Sequence, residues 1–572
     1  MNAHEVRQRA DTRFNAMLEA RADYEKWWQD LSRQFAPNRG RFHVSDRPRK
    51  GIIRRNSRPR TIPDDFASGI KSGLTSPSRK WFTLTLSDDP TGQPERVKAW
   101  LTDVENIIRD VMIRTNLYDQ LFDVYKEQGI FGTGALLIED DDEKVFRCTS
   151  LTIGSYVIDV DERGIVNRFG RQFNRTARQL AAEFGAENLP QEIQSVISED
   201  RDGRQEYELR HLIEPSEDFR RGDGPGGVFR WRSLWWLKGF SSPEFLRVGG
   251  YNEFPVMVPR WRVINGDLYG REQPGDIGLD DARTIQELEA DERSAIKKSV
   301  RPPVMMPAHL LDGELQDYPG GVTVYMPQSV GGNTPITPLY AVQFDHQSVA
   351  QKRTELIMRL EETFYVNFFR MWTSDLRLGR TATEIQARES EKMYMLGPLI
   401  ERQMSELLDP LIDRVFGIVE RAGLIPPPPE EVQGRNVRPE YTSVLANVQK
   451  QTSHSGMEII MSTVGALAQL QGGAGRSPDV LDKLDCDEFI DQLADMYALP
   501  AGLVLGDDVV AQNREARKQQ EAQQAEQMQM AQEAQAMAAA APQLSRAARD
   551  AGETPLGGGS VLDALTGGGG VE

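Results

Sequence analysis

The chain has 572 residues, 39% of them hydrophobic and 27% charged, a balance typical of ordinary folded protein with room for about two to four domains. Its 86 acidic residues against 68 basic ones give a formal net charge of −18, which argues against tight nucleic-acid binding by phosphate neutralisation but not against DNA sliding past. Two cysteines, Cys148 and Cys486, exclude a disulfide framework and a thiolate metal cage. No apolar run approaches the roughly 18 residues of a membrane span, and the first residues, MNAHEVRQRADTRF, are charged, so a cytosolic product is expected.

Residues 3 to 35 read as a helix with Tyr24, Trp27, Trp28, Leu31 and Phe35 on a shared face and Pro37 as its stop. From Arg39 to Arg60 there are nine Lys or Arg and one Asp around Pro48 and Pro59. This predicts a long loop, either a solvated arm or a contact for phosphate or a partner. A short helix, a turn at Pro77 and an alternating strand follow, with Trp81, Thr83 and Thr85 opposing Phe82, Leu84 and Leu86. Val97, Leu101, Val104, Ile108, Val111 and Met112 mark the next helix, and Leu117 to Gln128 another. A strand spans Ala135 to Ile138, and a hairpin turns at Asp161 to Gly164. Strands resume at Gln205 to Ile213, Val228 to Phe240 and Phe245 to Val248, with Trp231, Trp235 and Trp236 read as core rather than as a base-stacking platform. These pieces predict an α+β body over about residues 1 to 270.

A second long helix starts near Leu279, with acids at its head, Lys297 and Lys298 near its end, and Pro302 and Pro303 as its stop. Residues 301 to 342 carry seven prolines and the strand-like "GGVTVYMP", the pattern of a small β-rich insertion. A third helix is expected from about Phe344 to Phe369, then the polar loop "RMWTSDLRLGR". Thr381 and Glu384 have capping-box spacing, and Met393, Leu396, Ile400, Met404, Leu407, Leu411, Val415 and Val419 keep one apolar face. One helix of roughly 60 Å is therefore expected from Thr381 to Ala422, kinked at Gly397-Pro398 because proline removes an amide and crowds the carbonyl four residues back. Beyond Pro429 a strand is expected near Tyr441 to Ala446, then helices near Gly456 to Leu470 and Val480 to Tyr497. The Gln/Ala/Glu-rich stretch 511 to 541 is helix-prone but has a thin apolar stripe, which leaves self-stacking and disorder as alternatives. The glycine-rich tail reads as flexible.

Local catalytic signatures are not found. Gly132 and Gly134 form a G-x-G, but a helix precedes it, a strand follows it, and Leu137 occupies the third glycine position, the reverse of a dinucleotide fingerprint. The turn at Asp161 to Gly164 lacks the remaining ligands of an EF loop. The six histidines, at 4, 43, 211, 309, 346 and 454, form no ligand pair, and there is no P-loop and no G-x-S-x-G elbow. Acidic pairs such as Asp280-Asp281 and Glu361-Glu362 lie on expected helices as solvated charge, so an enzyme is not favoured and no cofactor or metal is expected.

Four segments, "WWQDLSRQFAPNRGRF", "SGIKSGLTSPSRKWFTLTL", "YGREQPGDIGLDDARTIQELE" with its following "RPPVMMP", and "RTATEIQARESEKMYMLGPLIERQMSELLDPLIDRVFGIVERAGLIPPPP", resemble the portal proteins of tailed bacteriophages. The likeness is to the head-to-tail connector family of short-tailed phages and spans residues 27 to 429. It implies a helix-rich α+β portal fold assembling as a ring of about twelve. Residues 1–278 would be the wing, 279–300 and 343–369 stem helices, and 301–342 the clip. Residues 370–380 would be the tunnel loop, 381–425 the long kinked wing helix, and 426–510 the crown and wing return. Residues 511–541 would form a helical barrel, and 542–572 a flexible tail. The DNA-facing residues implied are Trp372, Asp375, Arg377 and Arg380, for which a plain solvated connector is the alternative, and Gly397 and Pro398 would be a static kink or a hinge. The implied partners are copies of itself, terminase, head-tail adaptor and tail proteins, major capsid and scaffold proteins, and double-stranded DNA passing non-specifically. The place is the virion vertex after assembly in host cytoplasm, with no membrane. A metal-dependent nuclease and a non-portal tail or scaffold component remain the alternatives.

Overall fold

The computed structural model describes residues 3–37, 55–86, 94–198, 205–217, 228–264, 266–307, 316, 318–325, 337–338, 344–369, 400–432 and 437–441, then 510, 513–520, 522–524, 527–528 and 530–532. The chain forms two compact units, 1–483 and 484–572. In the second unit, residues 513–520 are helical and exposed. The expected helices at 456–470 and 480–497, the strand residues 442–446 and the tail all lie outside the described residues.

The first unit is helix-rich with several small sheets. Its first helix, α1 (Ala3–Phe35), buries Val6, Ala10, Phe14 and Met17 near its start and Trp28, Leu31 and Phe35 near its end, in steps of three and four. The early half lies on a five-stranded antiparallel meander: β4 (Tyr156–Val160), β5 (Val166–Thr176), β6 (Glu206–Pro215), β7 (Trp231–Leu237) and β8 (Arg247–Tyr251). The other face of that sheet is covered by α5 (Ala177–Phe184) and α6 (Gln191–Ser198), whose Leu180, Phe184 and Ile193 meet Leu209, Trp235 and Leu237. These two helices were not expected. Their local signal is the capping box of Thr176 and Gln179 at the head of α5. Trp235 and Trp236 are core, as expected.

The main core gathers α2 (Arg58–Leu74), α3 (Glu95–Arg114), α4 (Leu117–Phe131) and two further sheets. One sheet has the order β3 (Val145–Ser150), β2 (Leu136–Asp141), β9 (Val256–Met257), all antiparallel. The other pairs β1 (Phe82–Leu86) with β13 (Val437–Tyr441), segments some 350 residues apart in the chain. The Cys148 thiol is buried on β3 and pushed up to about 12, which keeps it an inert core residue.

Several expectations need correction. The loop after α1 does not run to Arg60, because α2 begins at Arg58 with Pro59 in its first turn, where a missing amide costs nothing. The strand expected near Tyr441 already begins at Val437, with Pro439 opposite Leu84, since pairing with β1 outweighs proline's dislike of strands, while residues 442–446 lie outside those described. The helix expected to reach Phe369 is α9 (His346–Thr363), capped by Asp345 and broken at residues 364 and 365 before 366–369 turn helical again. Residues 400–421 are helical as expected, but Met404–Leu408 widen into a π turn ahead of α10 (Asp409–Arg421). Pro410 explains the widening: it offers no amide to the carbonyl of Glu406, and its ring needs the room.

Candidate functional site

The feature that stands apart from the body is a helix pair carrying a small sheet. Helix α8 (Leu279–Val300) buries only Leu279, Ala282 and Ile285, all in its first two turns, and α9 buries only Leu356 and Leu360, in its second half. These halves pack together and onto the body. Ion pairs hold them in register: Arg353 lies 3.3 Å from Glu289 and also pairs Glu292, Arg359 pairs Asp281, and Arg58 of α2 reaches Glu361 at 2.6 Å and Asp65 at 2.9 Å. Asn56, just before α2, is read by Gln286, whose Oε1 accepts from the Asn56 amide at 3.1 Å while its Nε2 donates to the Asn56 carbonyl at 2.8 Å. The distal halves bury nothing, with Ile296 and Val300 exposed on α8, and Met358 is exposed on the body-proximal half of α9. Beyond them lies a three-stranded sheet, in which β10 (Val304–Pro307) pairs in parallel with β11 (Val322–Tyr325) and antiparallel with β12 (Thr337–Pro338).

The root of this pair is fixed by backbone contact. Helix α4 ends at Gly132, which takes φ +81 and returns its N–H to the Gln128 carbonyl at 2.8 Å. The Gly132 carbonyl accepts from the Trp261 amide at 2.7 Å, and Thr133 Oγ1 accepts from the Gly270 amide at 2.8 Å. A Cβ on Gly270 would stand 2.0 Å from the Gly132 oxygen, so the two backbones meet where no side chain fits. Buried Gln273 donates to the Ile130 carbonyl at 3.1 Å, and Trp27 Nε1 donates to Asp276 at 2.8 Å. The G-x-G that imitates a phosphate loop is therefore a packing notch for the segment entering α8.

Two buried arginines lock the 400–421 helix to the body. Arg260 donates to Glu406 from its amide at 2.8 Å and from its guanidinium at 2.7 Å, and also to the Gly164 carbonyl at 2.7 Å. Arg414, 1% exposed, holds Asp140 at 2.7 Å and Glu253 at 2.8 Å, and Arg421 helps keep the Glu253 carboxyl below its ordinary range against the burial that would raise it. Sequence reasoning missed both, since the partners lie 146 and 274 residues away.

Across the five-stranded sheet, Tyr156, Arg171, His211, Trp235 and Arg247 stand directly opposite one another on successive strands. The His211 ring stacks on Trp235 at 3.8 Å, accepts at Nδ1 from Arg171 Nε at 3.0 Å, and lies 2.8 Å from Ser233 Oγ through Nε2. Arg171 Nε can only donate, so Nδ1 carries no proton and the ring is the neutral Nε2–H form. Burial first, then the charges of Arg171 and Arg247, hold its pKa well below the ordinary value. In the unfolded chain the imidazole takes up a proton below about pH 6.5, so its contribution to stability is complete above that pH and is lost as pH falls toward the folded pKa, at roughly 1.4 kcal/mol per unit. The melting midpoint is expected to fall more between pH 7.5 and 5.5 for the native chain than for His211→Gln, and equal falls would show that His211 does not titrate with unfolding.

Trp372, Asp375, Arg377, Arg380, Gly397 and Pro398 lie outside the described residues. The described residues on either side of them, Phe369 and Ile400, are both buried in the main core. Among the described residues no group of three His, Cys, Asp or Glu is placed to hold a metal ion, and no helix is long and apolar enough to cross a membrane.

Comparison with known proteins gives this arrangement a family. The family described as "Bacteriophage head to tail connecting protein" matches residues 7–505. The "Probable portal protein" of Bordetella phage BPP-1 is 32% identical over 509 residues, which cover 88% of this chain and 90% of that protein. The "Portal protein" of Salmonella phage epsilon15 is 32% identical over 510 residues, covering 87% and 89%. A chain of "Virion of native gene transfer agent (GTA) particle" aligns over 75% of this chain and 94% of its own at TM-score 0.29 and 11% identity, too weak a likeness to carry a statement about fold. The family match over residues 7–505 and the two relatives at 32% identity agree: the chain belongs to the bacteriophage head-to-tail connecting proteins, and both relatives are named portal proteins.

Proposed function

We propose that the chain is a portal subunit, assembling as a ring of about twelve at one capsid vertex to form the channel through which double-stranded DNA is packaged and ejected. The observation that carries the assembly is the helix pair. The distal halves of α8 and α9 bury no side chain, and a pair of helices without a core along half its length is marginal in water. Neighbouring copies around a ring would cover Ile296, Val300 and Met358. In this reading α8 and α9 are the stem, residues 301–342 the clip that meets terminase and later the head-tail adaptor and tail proteins, and the α+β body the wing facing major capsid and scaffold proteins. Residues 370–380, with Trp372, Asp375, Arg377 and Arg380, would project toward the DNA as the tunnel loop, and Gly397-Pro398 would bend the wing helix toward the channel.

Charge supports passage rather than capture. Twelve copies at −18 each carry about −216, a field that repels phosphate and leaves only transient contacts to the few loop arginines. The subunit supplies conduit and platform, and the force comes from a separate motor. Native mass spectrometry with images of the same sample tests the reading: twelve copies of 64.4 kDa, about 770 kDa, with an open central channel are expected. A monomer or small oligomer at every salt concentration would overturn it.

A further inference from the structure

The sequence of α9 continues its helical period to Phe369, yet the helix breaks at Tyr365, whose φ is +56. Left-handed backbone at a helix end is the place of glycine or asparagine, and a bulky aromatic there is an outlier held by its surroundings. Those surroundings are an aromatic cluster. Phe364 packs on Phe35 at 5.4 Å and Phe66 at 6.2 Å, Tyr365 lies 6.3 Å from Trp261, and Phe369 lies 6.3 Å from Phe66. The Phe369 ring occupies a notch over Gly69 of α2, where a Cβ would stand only 2.2 Å from it. At the break the Tyr365 amide bonds back to Glu362 at 3.0 Å, a tightened turn, and the Phe369 amide restarts the helix on the Tyr365 carbonyl at 3.2 Å. The α8 root, by contrast, is seated backbone against backbone.

We propose that Tyr365 is a two-state joint. In the bent state seen here Phe369 sits over Gly69. In the straight state residues 364–369 rejoin α9, Val366 and Asn367 gain amide bonds to the carbonyls of Glu362 and Thr363, and Phe369 leaves the notch. The change redirects the chain where it enters residues 370–380. The joint rests on the portal reading only for what that redirection would serve, a loop facing DNA.

Hydrogen exchange of the full-length protein, read over the peptide spanning Phe364–Phe369, tests the joint whether or not rings form, and ring mass is read separately. Tyr365→Gly accepts the left-handed backbone without a Cβ clash and keeps the bent state that already predominates, so exchange at Val366 and Asn367 is expected to stay within about twofold of the native chain. Gly69→Ala expels Phe369 and favours the straight state, so exchange there is expected to fall about tenfold. Phe369→Ala empties the notch without overfilling it and is expected to follow Gly69→Ala, so it decides the matter if Gly69→Ala fails to fold. Unchanged exchange in β6 and β7 peptides reports an intact body. A fall of less than twofold for both Gly69→Ala and Phe369→Ala, or an equal fall for Tyr365→Gly, would overturn the joint and leave a static bend.

Discussion

Glu214→Ala is expected to destabilise the five-stranded sheet by about 3–5 kcal/mol, among the largest effects of any single change in the body. Glu214 and Arg232 face each other across β6 and β7, at 0% and 1% exposure, and the carboxylate also takes Arg13 of α1 at 2.9 Å. Removing the carboxylate leaves the Arg232 guanidinium in a dry interior without its hydrogen-bonded partner and with only the weaker pull of Glu217, and that poorly compensated desolvation is the cost. Solvent cannot relieve it, because α1 lies over this face with Phe14 and Arg13. The double change Glu214→Leu with Arg232→Met is expected to recover most of the loss, since an apolar pair of similar volume needs no solvation. Urea unfolding of native, single and double variants measures this, and a single-variant loss below about 1 kcal/mol would mean that water reaches the pair.

Gly270→Ala is expected to cost about 3 kcal/mol and to loosen the root of the helix pair. Its Cβ would fall 2.0 Å from the Gly132 oxygen and 2.7 Å from the Trp261 nitrogen, both backbone atoms already hydrogen-bonded to each other. No rotamer change can make room, so the segment entering α8 must lift away from α4. Gly249→Ala is the control: its Cβ meets nothing within 4 Å and should stay within about 0.5 kcal/mol of the native chain. Should Gly270→Ala match that control in urea midpoint, the notch is softer than its geometry implies. In a ring, the same change is expected to lower the fraction of closed assemblies in images, because a stem that tilts at its root cannot keep one angle to its neighbours.

Periodicity made much of the architecture legible. Helices α1, α3, α4 and α8, the hairpin of β4 and β5 and the later strands carry their apolar residues at steps of two or of three to four, a local property that burial then enforces. The order of parts, from body to helix, β insertion, returning helix, loop and long helix, was enough to suggest the family that comparison then confirmed. The glycines at 132 and 134 could be excluded as a phosphate loop from the sequence, but their use could not be named, because the backbone that Gly132 admits arrives from residue 270, while Gly134 gives room to Val124 of α4.

Tertiary structure alone decided what depends on distant partners. The pairing of β1 with β13 places Pro439 in a strand that its sequence disfavours, since ladder bonds and the burial of Phe82, Leu84 and Tyr441 outweigh one missing donor. The break at Tyr365 contradicts a helical pattern that runs through it, because the Gly69 notch and the rings of Phe66 and Trp261 stabilise the bend more than the two helical bonds of Val366 and Asn367 would stabilise the straight form. The sites of Arg260 and Arg414 were invisible for the same reason: a buried charge is tolerated only where opposite charges converge on it, and here they converge from segments more than a hundred residues away. The sequence by itself determined the period of most elements and the sign of the chain's net charge. The fold decided which of those elements meet, because meeting is governed by packing and desolvation that no local window contains.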